Sequence, residues 1–359
     1  MKIVLFSVLA FLFVITGIAS AFGYADANGN GTSIPGYNPV TLALGGARAI
    51  GFGDALSVLT NPADIYRIPG TSFTISIGPA VLFESFEDTT GLHDYNWIAL
   101  ANLSAAMKFQ VGSKLALGAG VARISDFSFQ GSYYDRDPIT GEIIENYTLD
   151  AQGGLYESAA GFSWHPESWI NVGLSGGLRF GSASYDSTFE DRVNPENDTT
   201  VSIAWDESDF CWHAGIIIPL SMASIGISWA SATDHYDARI AAGALLYTGD
   251  SKQGAFGVEA EIVDPGETNN LEGRLIGQFS PSNSLIFRGA LSFSDRNEEI
   301  ESQGIGISLG TGIALGRITL NGAFAWSSVT RESYAFSSWD PIDIKVSQSL
   351  LSFGLNWNL

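Results

Sequence analysis

The alternation of side chains along this sequence limits its possible folds more than any other feature. In residues 349–359, Leu351, Phe353, Leu355, Trp357 and Leu359 share one face, and Ser352, Gly354, Asn356 and Asn358 share the other. In residues 302–314, Ile305, Ile307, Leu309 and Ile313 alternate with Gly304, Gly306, Ser308, Gly310 and Gly312. In 316–328, Ile318, Leu320, Phe324 and Trp326 alternate with Thr319, Asn321, Ala323 and Ala325. One such segment is an ordinary half-buried strand. Repeated with small or polar residues always opposite the apolar ones, it is what a closed membrane barrel needs, since an open edge in hydrocarbon leaves backbone groups unpaired.

About fourteen segments of this kind can be counted, an even number as in bacterial barrels. They fall at 71–86, 97–111, 114–129, 152–164, 169–184, 207–219, 222–232, 236–248, 252–263, 270–280, 283–295, 302–314, 316–329 and 346–359. Their connections alternate between short turns and longer loops, the expected asymmetry of a membrane barrel. The segment 114–129 breaks its own pattern. Arg123 and Ser125 continue the face of Leu115, Leu117, Ala119 and Val121 before Phe127 and Phe129, which a bulge or kink at 122–126 would explain.

Composition agrees. The chain is 45% hydrophobic and only 15% charged, with mean hydropathy +0.15, yet no internal run approaches the roughly 20 apolar residues of a membrane-spanning helix. A secreted β-sandwich or β-solenoid is the other class that would use 41 glycines. A net charge of −21 argues against nucleic acid or an anionic membrane surface as partner, both of which select Lys and Arg. The acidic residues gather in 130–151 and 185–206, expected as long external loops that are solvated or hold divalent ions bridging to lipopolysaccharide. The single cysteine, Cys211, makes no intramolecular disulfide.

The N-terminus reads as an export signal over 1–21: Lys2, an apolar core over 3–18, and the small-residue site Ala19-Ser20-Ala21. Residues 22–36 form a polar leader in which Asp26-Ala27-Asn28-Gly29-Asn30-Gly31-Thr32 resembles the start of a calcium loop, although Tyr37 stands where the closing Glu belongs. Residues 37–70 are too apolar for a linker, too glycine-rich for one regular helix, and lack strand alternation. They are expected to sit inside the barrel formed by 71–359, with 22–70 as leader and hatch.

The stretch GGARAIGFGDALSVLTNPADIYRI, after an export signal and before the strands, resembles the FadL-like outer-membrane transporters of long-chain fatty acids and other hydrophobic molecules. The family's Asn-Pro-Ala-Gly motif corresponds to Asn61-Pro62-Ala63, with Asp64 in place of the final Gly. The segment between Gly51, Gly53 and Asn61 is shorter than usual and lacks an acidic pair before the motif. The resemblance implies an all-β, fourteen-stranded transmembrane antiparallel barrel with an N-terminal hatch, a kinked third strand giving lateral exit to the membrane, and passive uptake without a cofactor. The family also includes barrels that shuttle secreted or surface proteins.

If a ligand passes, the hatch side chains expected to meet it are Leu42, Leu44, Ile50, Phe52, Leu56, Val58, Leu59 and Ile65, or else these only pack the hatch against the wall. Arg48 and Arg67 are candidates for a substrate carboxylate, or for pairing with lumen carboxylates. Alternation points Glu259, Glu261, Glu272 and Arg274 inward with Arg288 on the next strand, an expected ion-pair cluster that holds the hatch. Two Gly-x-Ser-x-Gly matches, around Ser175 and Ser308, lie mid-strand rather than at a strand-turn-helix elbow. His93, His165, His213 and His235 show no metal-ligand spacing, so neither an enzyme nor a metal site is expected. Trp97, Trp164, Trp169, Trp212, Trp229 and Trp357 are girdle candidates. These readings converge on a monomer in the outer membrane of a Gram-negative-type bacterium. It contacts lipid and lipopolysaccharide, takes a hydrophobic small molecule and does not bind nucleic acid. A protein-binding scaffold and a general diffusion porin are the alternatives.

Overall fold

A computed structural model describes residues 32–359, apart from 89–90, 128, 138, 249–252, 267–268, 298–300 and 334–341. The expected export signal and most of the calcium-like leader lie outside the described residues, as do the side chains of Trp97 and His93.

The strands are β1 (Thr32–Ser33), β2 (Ser72–Asp88), β3 (Gly91–Val111), β4 (Leu115–Asp126), β5 (Phe129–Arg136), β6 (Ile143–Glu167), β7 (Ile170–Asp191) and β8 (Thr199–Pro219). They continue as β9 (Ala223–Ala230), β10 (Arg239–Thr248), β11 (Gly254–Val263), β12 (Asn270–Ser282), β13 (Leu285–Asn297), β14 (Glu301–Leu315), β15 (Ile318–Ser333) and β16 (Ile342–Asn358). Neighbours pair antiparallel, and β16 pairs with β2 to close the wall. β1 belongs to the hatch, and β4 and β5 are two pieces of one wall strand, so the barrel has fourteen strands. Among the described residues, closure gives every wall strand but β5 a strand neighbour on both sides, which hydrocarbon demands.

Alternation sorts the side chains as expected. On β11, Phe256, Val258 and Ile262 face outward and exposed, while Glu259 and Glu261 are buried inside. On β14, Ile305, Ile307, Leu309 and Ile313 are exposed. An exposed apolar belt on every side suits lipid, not water. Trp164, Trp169, Trp229 and Trp357 are exposed, and Trp212 packs on Trp229 with ring centroids 4.9 Å apart.

Wall height is uneven. β6 has 25 residues and β7 has 22, whereas β9 has 8. At ~3.3 Å per residue, β6 reaches far beyond a hydrocarbon core about 25 Å thick. This corrects one expectation: the acidic segments 130–151 and 185–206 are not loops. They are mostly strand, with β5 paired to β6 and β7 to β8, and turns only near 137–142 and 192–198.

The third wall strand is interrupted. Its pairing with β6 shifts register between Arg123 and Ser125, and the strand divides between Asp126 and Phe129. Ile124 continues the lumen face of Ala122, and the bulge reverses the face of the residues after it, so Ser125 and Phe127 are buried inside as well. Pairing of β3 with β4 stops at Ser104–Ala122, β1 pairs with Ser125 and Asp126, and β5 is paired with β6 alone among the described residues.

Candidate functional site

The hatch is held in the lumen by three short helical pieces. Helix α1 (Pro39–Ala43) starts at Asn38, whose side chain caps Thr41 N–H at 2.8 Å, with Pro39 in the first turn. A 3-10 turn over Ala55–Leu59 is capped by Asp54, and another over Pro62–Arg67 by Asn61. Asn61 accepts from Ala63 N–H at 3.1 Å and donates to the carbonyls of Ala49 at 2.7 Å and Ile227 at 3.3 Å. The motif asparagine thus shapes its own turn and ties it both to the preceding hatch segment at Ala49 and to the wall. Wall glycines make room. A Cβ on Gly215 would lie 1.8 Å from Asn61 Oδ1, and one on Gly173 would lie 2.2 Å from Ala63 N.

Asp64, the departure from the family motif, has its own role. It accepts from Gly53 N–H at 3.0 Å, from the Ser57 hydroxyl at 3.3 Å and from Arg67 at 3.2 Å. A glycine there could make none of these bonds, so the carboxylate joins the two turns. Arg67 also donates to the Gly51 carbonyl at 2.9 Å and to the Tyr247 hydroxyl at 2.6 Å. Its pKa is raised: burial opposes the charge, but Asp64 and the Tyr247 phenol outweigh it.

Glu259, Glu261, Glu272 and Arg274 meet as one network. Arg274 pairs with Glu259 at 3.1 Å, Glu261 at 2.7 Å and Glu272 at 2.6 Å. Arg48 of the hatch reaches Glu261 at 3.2 Å, and Arg239 reaches it at 3.3 Å. Glu259 accepts three consecutive backbone N–H groups, from Arg48 at 2.7 Å, Ala49 at 2.9 Å and Ile50 at 3.1 Å. Arg48 stays charged: burial works against it, but Tyr236, Tyr37 and Glu261 hold its pKa well above the usual arginine range. Arg288 is a correction. It donates instead to Gln278 at 2.9 Å and Asn321 at 3.3 Å, lower on the wall and beside Asp54.

Hatch carbonyls are also matched by wall donors. Ser104 reaches Tyr37 O at 2.5 Å, Asn102 reaches Gly36 O at 2.8 Å, Ser163 reaches Ala63 O at 2.9 Å and Arg274 reaches Gly45 O at 2.8 Å. Lys108 donates to the carbonyls of Ile68 and Gly70 where the hatch leaves the lumen. Ser175, of the first Gly-x-Ser-x-Gly match, donates to Val58 O at 2.6 Å. The serine is a hatch anchor, and Gly173 beside it admits the hatch backbone.

The apolar hatch residues split into two groups. Leu44 and Ile50, with the partly exposed Phe52, pack on Leu245, Ile276 and Ala290. Leu56, Val58, Leu59 and Ile65 join Ile124, Phe127, Leu149, Leu155, Tyr185 and Tyr236 in one continuous cluster, with Trp205 against it. Leu42 is fully buried. Leu149, Tyr185 and Trp205 lie on the tall walls, so this cluster runs from above the membrane past the broken third strand to the hatch. Alternation alone did not single out Leu149, Tyr185 or Tyr236, because the segments holding them read as loops or strand ends. Within the hatch lies a cavity of about 20 Å³ lined by Val40, Leu44, Ile50, Phe52 and Asn61. A wider vestibule of about 510 Å³ opens below the hatch beside Tyr66, Arg67, Gln110 and His165.

No family model matches this chain, and no curated protein matches it by sequence. Solved structures do match by fold. A Pseudomonas aeruginosa FadL homologue superposes with TM-score 0.69 at 8% identity, covering 91% of this chain and 99% of that one. A structure described as the CymD monoaromatic hydrocarbon channel gives 0.61 at 12% identity, covering 90% and 98%. The Ralstonia pickettii toluene transporter TbuX gives 0.59 at 13% identity, covering 90% and 99%. With its closed fourteen-stranded wall, apolar belt and lumenal hatch, the chain is a β-barrel of the FadL-like fold.

Proposed function

We propose that this barrel carries small hydrophobic molecules passively across the outer membrane, with exit sideways into the lipid at the break in its third strand. The observation that carries this reading is the apolar cluster. It links the inner face of the tall walls (Leu149, Tyr185, Trp205) through Phe127 and Ile124 to Leu56, Val58 and Leu59 of the hatch. A molecule with no polar groups gains at each step of such a path by leaving water. Phe127 stands where β4 gives way to β5, beside the edge of β5 that has no strand partner among the described residues. The fold likeness to a toluene transporter and a monoaromatic hydrocarbon channel supports the same class of cargo. Apolar walls discriminate by only about 1–3 kcal/mol per methylene, so fatty acids and apolar aromatics both belong to it. The test is co-purification or binding of such molecules by the detergent-extracted protein, with slower cellular uptake on deletion. A protein that binds none of them, with uptake unchanged, overturns the reading.

A second reading, a scaffold that holds a secreted or surface protein, is favoured by the way the hatch fills the lumen: it is bonded to the wall on several sides, by Glu259, Ser104, Ser163 and Ser175. Recovery of a stoichiometric protein partner by the tall walls, with no apolar ligand bound, would select it.

A further inference from the structure

One buried group of side chains serves neither the ion network of β11 and β12 nor the apolar path. Cys211 and His213 lie two residues apart on β8, so both point inward, and both are fully buried. Glu157 reaches the same place from β6, two strands away, and is also fully buried. One donor atom from each residue, a thiol sulfur, an imidazole nitrogen and a carboxylate oxygen, all lie within 4.8 Å of one another. His213 Nε2 is 2.7 Å from Glu157 Oε1, while its Nδ1 is buried with no hydrogen-bond partner. A buried imidazole nitrogen without a partner beside a free thiol is an unfavourable arrangement in a site that holds nothing.

We propose that Glu157, Cys211 and His213 bind a single divalent cation of the zinc class. Sulfur, imidazole and carboxylate donors together suit zinc and its borderline neighbours rather than calcium or magnesium, which take oxygen ligands. On binding, the thiol proton leaves to solvent, and with the metal on Nδ1 the His213 Nε2–H keeps its bond to Glu157 Oε1, so neither ring nitrogen is left without a partner. Glu157 Oε2 keeps its bond from Arg179 Nε, 2.7 Å away, which orients the carboxylate. The two anionic ligands balance the dication. Glu207, four residues before Cys211 on the same face of β8, is a further buried carboxylate whose Oε1 is likewise unpartnered. His213 stands opposite Ser175, the wall residue that holds Val58 of the hatch. The metal therefore braces β6 to β8 at the level where the hatch is anchored. Histidine spacing along the chain could not reveal this site, because its third ligand comes from a strand more than 50 residues earlier, brought near by register.

The test uses the full-length protein without a polyhistidine tag, folded in detergent, stripped with a chelator and dialysed against zinc or cobalt. The expected result is one tightly held metal per chain and, with cobalt, a thiolate-to-metal charge-transfer band. Both should be lost in Cys211→Ser and in His213→Gln, each checked for barrel folding by its heat-modifiable migration. Two variants are used so that a folding failure in one leaves the other to decide. Absence of the charge-transfer band in the wild type, or an unchanged zinc content in either folded variant, overturns the proposal. Metal held by surface carboxylates gives oxygen-only cobalt spectra and counts against it.

Discussion

The carboxylate of Glu259 on the barrel wall accepts the backbone N–H of Ala49 in the hatch at 2.9 Å, and with it the N–H groups of Arg48 and Ile50. Three successive amides aimed at one buried carboxylate form an anion-binding nest turned toward the protein's own wall. Removing one partner of a buried, paired charge costs about 3–5 kcal/mol because the other charges are left without compensation. Glu259→Leu leaves the three amides without their acceptor and takes one of three carboxylates from Arg274, which keeps Glu261 and Glu272. It should therefore release the hatch while leaving the belt of the barrel intact. Planar-bilayer recordings check this: the wild type should conduct ions poorly and the variant should show open-channel events.

The wall glycines facing the hatch make a steric prediction. A Cβ at Gly215 would meet Asn61 Oδ1 at 1.8 Å, a separation no side chain tolerates. Gly215→Val should displace the Asn61 turn without unfolding the wall, because its strand neighbours are untouched. Protease cleavage within 37–70, scored against heat-modifiable migration of the whole barrel, separates the two effects.

Asp64 offers a reversal toward the family motif. Asp64→Gly would remove the acceptor of Gly53 N–H and of the Ser57 hydroxyl, and the ion partner of Arg67. Leaving buried donors unpaired costs about 1–3 kcal/mol each. The variant's hatch should lose protection in hydrogen exchange by tens of fold or more, by that arithmetic. Equal protection in the two proteins would mean that Asp64 does not join the turns.

Asp54 gives a pH dependence. Burial raises its carboxyl above the usual range, more than the Leu56 N–H, the Asn356 amide and nearby Arg288 lower it. An acid whose folded pKa is raised destabilises the folded state when ionised. That penalty is absent below the unfolded value and grows as pH rises through the folded one. Hatch stability should therefore fall as pH climbs out of the acid range, and Asp54→Asn should flatten this dependence. Proteolysis of the hatch at stepped pH provides the measurement.

The barrel was legible because lipid facing is a local property: the residue at i and the one at i+2 share a fate. That placed Phe256 and Val258 outside and Glu259 and Glu261 inside. What lay beyond reach depends on height and register, which no local pattern carries. Arg288 faces inward as expected, yet it is four residues from Ser292, the partner of Arg274, and so stands well below the Glu261 network. Phe127 was assigned to the outer face, and the bulge after Arg123 turns it inward. The acidic segments looked like loops because their charges hid the strands; above the membrane both faces meet water, so the apolar alternation fades. Cys211, His213 and Glu157 came together only through the register of β6, β7 and β8.

The central claim is that apolar cargo follows the cluster through Phe127. Uptake of a radiolabelled apolar aromatic and of a long-chain fatty acid, in cells carrying the wild type, Phe127→Asp or no copy, tests it most directly. Uptake should be fastest with the wild type and fall in Phe127→Asp to the level of cells without the protein, with the variant still folded in the outer membrane. Equal uptake in all three would contradict the account.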